Sequence, residues 1–247
     1  MRKIRQYRRV MACRLPYSLH TDRDLEQKTV QIPIGRTNLE ADLVTPDSAI
    51  GVVLFAHGSG SGRHSVRNRH VAYVLQQAGL ATLLLDLLTH DEEVIDARTA
   101  ALRFNIRLLA ERLVLATRWL LDQPQTSTLP LGYFGASTGA AAALVSAALV
   151  PELISTVVSR GGRPDLAGTA LRHVFAPTLL IVGGDDTVVL ELNRKALGLL
   201  PGEKKLEVIP GATHLFNEPG ALEAVAELAR DWFLQHLPAA GRRTNAA

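Results

Sequence analysis

The stretch Leu131-Gly132-Tyr133-Phe134-Gly135-Ala136-Ser137-Thr138-Gly139 constrains this chain more than any other. A short apolar strand runs into a turn with glycines two before and two after a serine, and a run dominated by alanine follows at once. A turn that tight forces the serine backbone into a strained conformation and crowds its neighbours, so the flanking positions must lack bulky side chains. Ala140 to Ala143 then let a helix pack close to the sheet, with its N-terminus beneath Ser137 to favour developing negative charge. This is G-x-S-x-G in the strand–turn–helix setting that presents a nucleophilic serine. Three fixed positions alone match by chance in about 8% of chains this long. The surrounding sequence therefore carries the argument.

Those surroundings alternate between strand and helix signals. Lys28 to Ile34 and Asn38 to Val44 read as two short strands joined at Gly35-Arg36-Thr37. Gly51 to Ala56 and Leu80 to Leu85 are continuous apolar runs, as expected of strands buried on both faces. Further strands are expected at Leu131–Phe134, Ile154–Ser159, Pro177–Val182 and Lys205–Ile209. Between them, Val66–Gln77, Asp96–Leu121 and Val189–Leu200 read as helices, and Leu222, Val225, Leu228, Trp232 and Leu237 mark the apolar face of a closing one. The pattern predicts an α/β fold: a mostly parallel sheet of about eight strands with helices on both faces. Only residues 160–176 separate the sixth strand from the seventh, so no lid domain fits, and a shallow pocket is expected. The expected division is a basic, flexible arm over 1–27, one domain over 28–237 and a flexible tail over 238–247.

The net charge of +3 is unevenly spread. Residues 1–24 hold seven Arg/Lys against Asp22 and Asp24, a local +5 that leaves −2 on the remainder. A basic arm can bind nucleic acid or anionic lipid, but terminal segments are more often simply unstructured, and no nucleic-acid partner is expected. Met11 is an alternative start that would remove most of the arm. The longest apolar run, Ala140 to Val150, is too short to span a bilayer, and the N-terminus lacks the apolar core of a secretory signal. The lone cysteine, Cys13, fits a reducing compartment, so a cytoplasmic location is expected, with no membrane partner.

Serine needs a general base held by a third group. The strands end in loops that carry such groups, and ligands of open sheets bind beyond the carboxyl ends of strands. His214 follows the last strand in Gly-Ala-Thr-His-Leu-Phe, where a loop can bring its imidazole over Ser137. Asp185 and Asp186 both follow Gly183-Gly184, either one placed to orient the histidine, the other reading being a helix cap. The loop His57-Gly58-Ser59-Gly60 would supply one oxyanion donor, the Ser59 N–H, and Thr138 N–H the other. It matches neither a dinucleotide fingerprint nor a P-loop, and His57 is expected to brace it. Arg63, Arg67, Arg69, Arg160 and Arg163 fall near the same edge and suit an anionic substrate; Gly58, Gly60, Arg63 and Arg160 are candidate substrate contacts.

Through His57-Gly58, Gly135-Ala136-Ser137-Thr138-Gly139, Gly183-Gly184-Asp185-Asp186 and Gly211-Ala212-Thr213-His214, residues 28–237 resemble the α/β-hydrolase superfamily, and within it the dienelactone-hydrolase-like group. The resemblance implies the fold and a Ser137–Asp186–His214 triad, Asp186 matching the family's acid in register with the following Val188 and Val189. True dienelactone hydrolases use cysteine where this chain has Ser137, which moves the expected activity to hydrolysis of a small ester, lactone or thioester without cofactor or metal. An acyltransferase on the same triad and a non-catalytic binding protein are the alternatives. Composition says nothing about oligomeric state.

Overall fold

The computed structural model describes residues 26–237. The expectations for the arm, Met11, Cys13 and the tail beyond 237 lie outside the described residues. Eight strands form one sheet: β1 (Glu26–Ile34), β2 (Thr37–Thr45), β3 (Gly51–Ala56), β4 (Leu80–Leu85), β5 (Leu131–Ala136), β6 (Ile154–Arg160), β7 (Thr178–Gly183) and β8 (Lys204–Ile209). Their spatial order is β1-β2-β4-β3-β5-β6-β7-β8. β1 and β2 form the expected hairpin and join β4 antiparallel; every other pairing is parallel. Strands β3, β4, β5 and β7 are buried at every residue, which is why they read as unbroken apolar runs rather than alternating ones.

Helices cover both faces. α1 (Val66–Gln77) and α6 (Ala221–His236) pack together on one, against Phe55, Phe134 and Ile181. α3 (Ile106–Asp122) and α4 (Thr138–Leu149) lie on the other, where Ala140, Ala141, Ala142, Ala143 and Leu144 are all fully buried. Alanine there lets α4 sit close beneath the sheet, and Leu109, Leu113, Ala116 and Leu120 form the buried stripe of α3. A short 3-10 helix (Pro164–His173) and α5 (Thr187–Leu197) complete this layer. Among the described residues, no lid domain interrupts the strand ends, and no helix is long and apolar enough to cross a membrane.

The segment expected as one helix from Asp96 to Leu121 is instead two. α2 (His90–Thr99) ends at Ala100, which adopts a left-handed conformation at φ 53°, and α3 starts only at Ile106. Apolar periodicity missed the break because Leu102 and Ile106 still pack against the core through the corner. The corner is held by polar chemistry. Buried Asp96 accepts from the amides of Leu102 (2.7 Å) and Arg103 (3.0 Å) and from Arg103 Nε (2.6 Å), and Asn105 caps α3 through Leu108 N–H. The signal for the start of α2 was present: Thr89 and Glu92 form a capping box.

The loop after β3 is fastened to the loop after β4 by His57. Its Nε2 accepts from Leu87 N–H at 2.9 Å while Nδ1 faces Gly58 O at 2.9 Å, so the neutral tautomer protonated on Nδ1 satisfies both partners. Burial holds the His57 pKa below its ordinary value of 6.5. Protonation would set one N–H against another.

Asp96→Ala should speed hydrogen exchange at the Leu102 and Arg103 amides while the β5 amides keep their protection; uniform exchange through the domain would contradict a local role for the corner. For His57, the unfolded chain takes up the proton first, so the stability contributed by the neutral ring is complete above about pH 6.5 and is lost as pH falls below it. The urea midpoint of the wild type should therefore drop between pH 7.5 and 5 by more than that of His57→Gln.

Candidate active site

At the end of β5 the backbone turns through Ser137 at φ 51°, ψ −119°, a region a non-glycine residue enters only under strain. The two glycines are there because nothing else fits. A Cβ on Gly135 would stand 2.4 Å from Ala140 Cα, and one on Gly139 would stand 2.2 Å from Ala56 O. Three backbone bonds pin the turn: Ser137 N–H donates to Arg160 O (3.2 Å), and Ser137 O accepts from Ala140 N–H (3.1 Å) and Arg163 N–H (3.0 Å). Ser137 occupies the N-cap position of α4, yet its side chain makes no cap bond.

Asp186 and His214 come together across 28 residues: Nδ1 of the imidazole lies 2.6 Å from Asp186 Oδ2. Asp186 sits at the N-cap position of α5, but its carboxylate makes no cap bond and is spent on the histidine instead. Asp185 is exposed, and its N–H donates to Ala212 O at 3.0 Å, tying the two loops together. Neither aspartate therefore acts as the helix cap that the residue types alone allowed. The His214 side chain keeps 40% of its exposure, so the far side of the ring is reachable. Its link to Ser137 runs through the end of β6. A Cβ on Gly161 would lie 3.6 Å from His214 Cε1, and Gly161 adjoins the carbonyl that receives the Ser137 N–H.

The loop after β3 packs against the same turn. Ser59 Oγ lies 3.1 Å from Thr138 Oγ1, 79 residues away, and a Cβ on Gly58 would stand 3.0 Å from Ser137 Cβ. Thr138 N–H, at the first turn of α4, has no carbonyl one turn back to bond. A cavity of about 470 Å³ opens beside these residues, with Gly58, Ser59 and Thr138 on its wall. α2 and the 100–105 corner wall the cavity with Glu93, Asp96, Ala97 and Arg103; of these, only residues from Asp96 onward fell in the segment expected as one helix. Arg112 steadies that wall by donating to Leu87 O (2.6 Å) and Glu92 (2.5 Å).

The five arginines part company. Arg63 lines the cavity, but its guanidinium meets Asp86 and Glu40 (2.5 Å), with Asp42 at 3.6 Å, and its charge is already matched. Those carboxylates and the hydrogen bond to Asp86 outweigh the effect of burial and raise its pKa. It braces the loop, since Asp86 also accepts from Arg63 N–H at 2.6 Å. Arg69 reaches Asp42 (3.3 Å) and Arg163 pairs with Asp165 (2.7 Å). Arg67 and Arg160 are left, and neither lines the cavity, whereas Gly60 does. Phe216 was not singled out in the sequence; it lies under the Arg160 guanidinium at 5.9 Å. Among the described residues, no group of three or more His, Cys, Asp or Glu side chains could hold a metal ion.

Known proteins bear on this geometry at two levels. A dienelactone hydrolase from Anabaena variabilis, solved as a crystal structure, is 60% identical; the match covers 87% of this chain and 99% of that one, with a TM-score of 0.85. Est1E from Butyrivibrio proteoclasticus is 17% identical at a TM-score of 0.71, covering 84% of this chain and 98% of that one, and shares the fold. Two Mycobacterium tuberculosis proteins, from strains CDC 1551 and H37Rv and provisionally named phosphoribosyl transferases, are 58% identical over 216 residues. That match covers 87% of this chain but 48% of theirs, so the chain spans about half the length of the curated relatives it matches. The model of the dienelactone hydrolase family matches residues 39–237, a span that holds the elbow, the Asp186–His214 pair and the loop that meets them. On that match, and on the eight-stranded sheet that carries it, the chain belongs to the dienelactone hydrolase family of α/β-hydrolases.

Proposed function

We propose that this protein is a serine hydrolase that cleaves a small carboxylic ester, lactone or thioester through an acyl-enzyme on Ser137. The observation that carries the reading is the 2.6 Å contact between His214 and Asp186 on the rim where a strained turn presents Ser137. With Nδ1–H donated to the carboxylate, the lone pair of His214 is on Nε2, the atom a general base uses.

In this mechanism Ser137 Oγ attacks the carbonyl carbon and its proton passes to His214 Nε2. The tetrahedral oxyanion accepts from the N–H groups of Thr138 and Ser59, each such donor lowering the barrier by about 3–4 kcal/mol. Collapse of the intermediate expels the alcohol or thiol, which takes the proton back from the imidazolium. Water then gives its proton to His214, attacks the acyl-enzyme and releases the acid. Asp186 stays ionised throughout, stabilising the imidazolium and fixing its tautomer. The cavity beside Thr138, about 470 Å³, is of a size that takes a small acyl or alcohol group.

The transferase name of the mycobacterial relatives does not alter this reading. The match takes in 48% of their length, and the shared segment is largely the one that the dienelactone hydrolase model matches. Transfer of the acyl group to an alcohol in place of water would use the same residues.

A fluorophosphonate probe should label the wild type and fail to label Ser137→Ala, whose turnover of p-nitrophenyl acetate should fall by at least about 10³-fold. An unlabelled wild type would favour a non-catalytic binding protein. Asp186→Asn should lower kcat by about 10³–10⁴-fold through the wrong imidazole tautomer. Asp185→Asn should leave it nearly unchanged, and the reverse ranking would reassign the acid.

A further inference from the structure

Most of the arginines at the strand ends are neutralised by carboxylates; Arg67 and Arg160 are not. Among the described residues, neither has a carboxylate within 4.0 Å. Arg160 is only 8% exposed, and its Nε and Nη1 are buried without a hydrogen-bond partner. Arg67 Nε is in the same condition, as is Nε2 of His70, one turn further along α1. Burial, and after it the charge of Arg67, lower the Arg160 pKa to about 10, which leaves the guanidinium charged at neutral pH. Glu218, the acid of the adjoining loop, accepts from Thr213 Oγ1 at 2.6 Å through Oε1; its Oε2 is buried without a partner, but it lies more than 4.0 Å from both guanidinium groups.

Arg160 is buried and Arg67 partly so, and a buried cation beside a like charge is costly unless something pairs with it. The Phe216 ring, 5.9 Å from Arg160 Cζ, offsets only a small part of that cost. Uncompensated buried charge beside a reactive group is the mark of a ligand site. The place is next to the reacting serine, since the carbonyl of Arg160 accepts the Ser137 N–H at 3.2 Å and Phe216 follows His214 by two residues.

We infer that Arg67 and Arg160 form a binding site for a dianion, the phosphate of a phosphate monoester, on the α1 side of the Ser137 rim. A pair of phosphate oxygens matches the planar N–H fork of each guanidinium. Two negative charges answer two positive ones, whereas a carboxylate would leave one guanidinium unmatched. The site then selects acyl substrates that carry a phosphate group. That use of it rests on the hydrolase reading, but the anion site itself does not.

Calorimetric titration at pH 8 tests it, with inorganic phosphate as the probe and sodium acetate at equal ionic strength beside it. Phosphate should bind saturably at one site. Arg160→Gln and Arg67→Gln should each weaken it by at least about tenfold, as expected for loss of a charge-assisted pair. Arg118→Gln, exposed on α3 across the sheet, should not change it. Melting curves check folding, and Arg67, only partly buried, keeps the test open if Arg160→Gln does not fold. Absence of saturable binding, or equal affinity in both variants and the wild type, would overturn the site. Acetate binding as tightly as phosphate would overturn the dianion assignment. Hydrolysis of p-nitrophenyl acetate, measured separately, keeps the two readings apart. Turnover without phosphate binding sinks the anion site alone, and phosphate binding without turnover supports the site while sinking the hydrolase reading.

Discussion

The strained turn at Ser137 is the constraint on which the other elements depend. A non-glycine residue at φ 51° persists only where its surroundings leave it no alternative. Here β3, β6 and α4 all close on it. The Ala56 carbonyl stands where a side chain on Gly139 would be, α4 presses on Gly135, and the end of β6 accepts the Ser137 N–H. The alanine run of α4 is part of the same constraint, because a bulkier helix could not approach close enough to present its first amide at the turn. Sheet order, helix composition and strain are thus one requirement expressed three times.

Around that turn the loops are held by polar contacts as well as by the buried side chains of Leu87, Leu88, Ala212 and Phe216. His57 fastens the β3 loop to the β4 loop as a neutral imidazole, and Arg63 fastens it again through Asp86 and Glu40. Asp185 ties the β7 loop to the β8 loop through its amide, and Asp186 uses its carboxylate on His214. Apolar burial is non-directional, so directional bonds must set the orientation of the loop groups. Against that background of matched charges, the unmatched guanidinium groups of Arg67 and Arg160 stand out as something a ligand would complete.

The places where periodicity misled are physically instructive. Leu102, Ile106 and Leu109 keep helical spacing across a break, because the corner between α2 and α3 still directs apolar side chains to the core. Spacing reports which side faces inward; it does not report whether the backbone is continuous. Asp96, buried and accepting two backbone amides, made the corner, and its role required knowing that it was buried.

What the sequence determined by itself was whatever local chemistry demands. Two glycines about a serine specify a tight turn, unbroken apolar runs specify strands covered on both sides, and strand–helix alternation specifies a parallel sheet with its loops on one edge. Those requirements act between residues close along the chain, or through burial alone. The tertiary structure decided the choices between equivalent groups. Asp186 rather than Asp185 meets His214 because the turn after β7 aims one carboxylate inward and leaves the other exposed. Arg63 is neutralised and Arg160 is not because β2 and β4 bring three acids to the first, while β6 carries the second beside Arg67 and Phe216. Charge pairing depends on distances of a few ångströms between segments far apart in the chain, and only the folded sheet sets those distances.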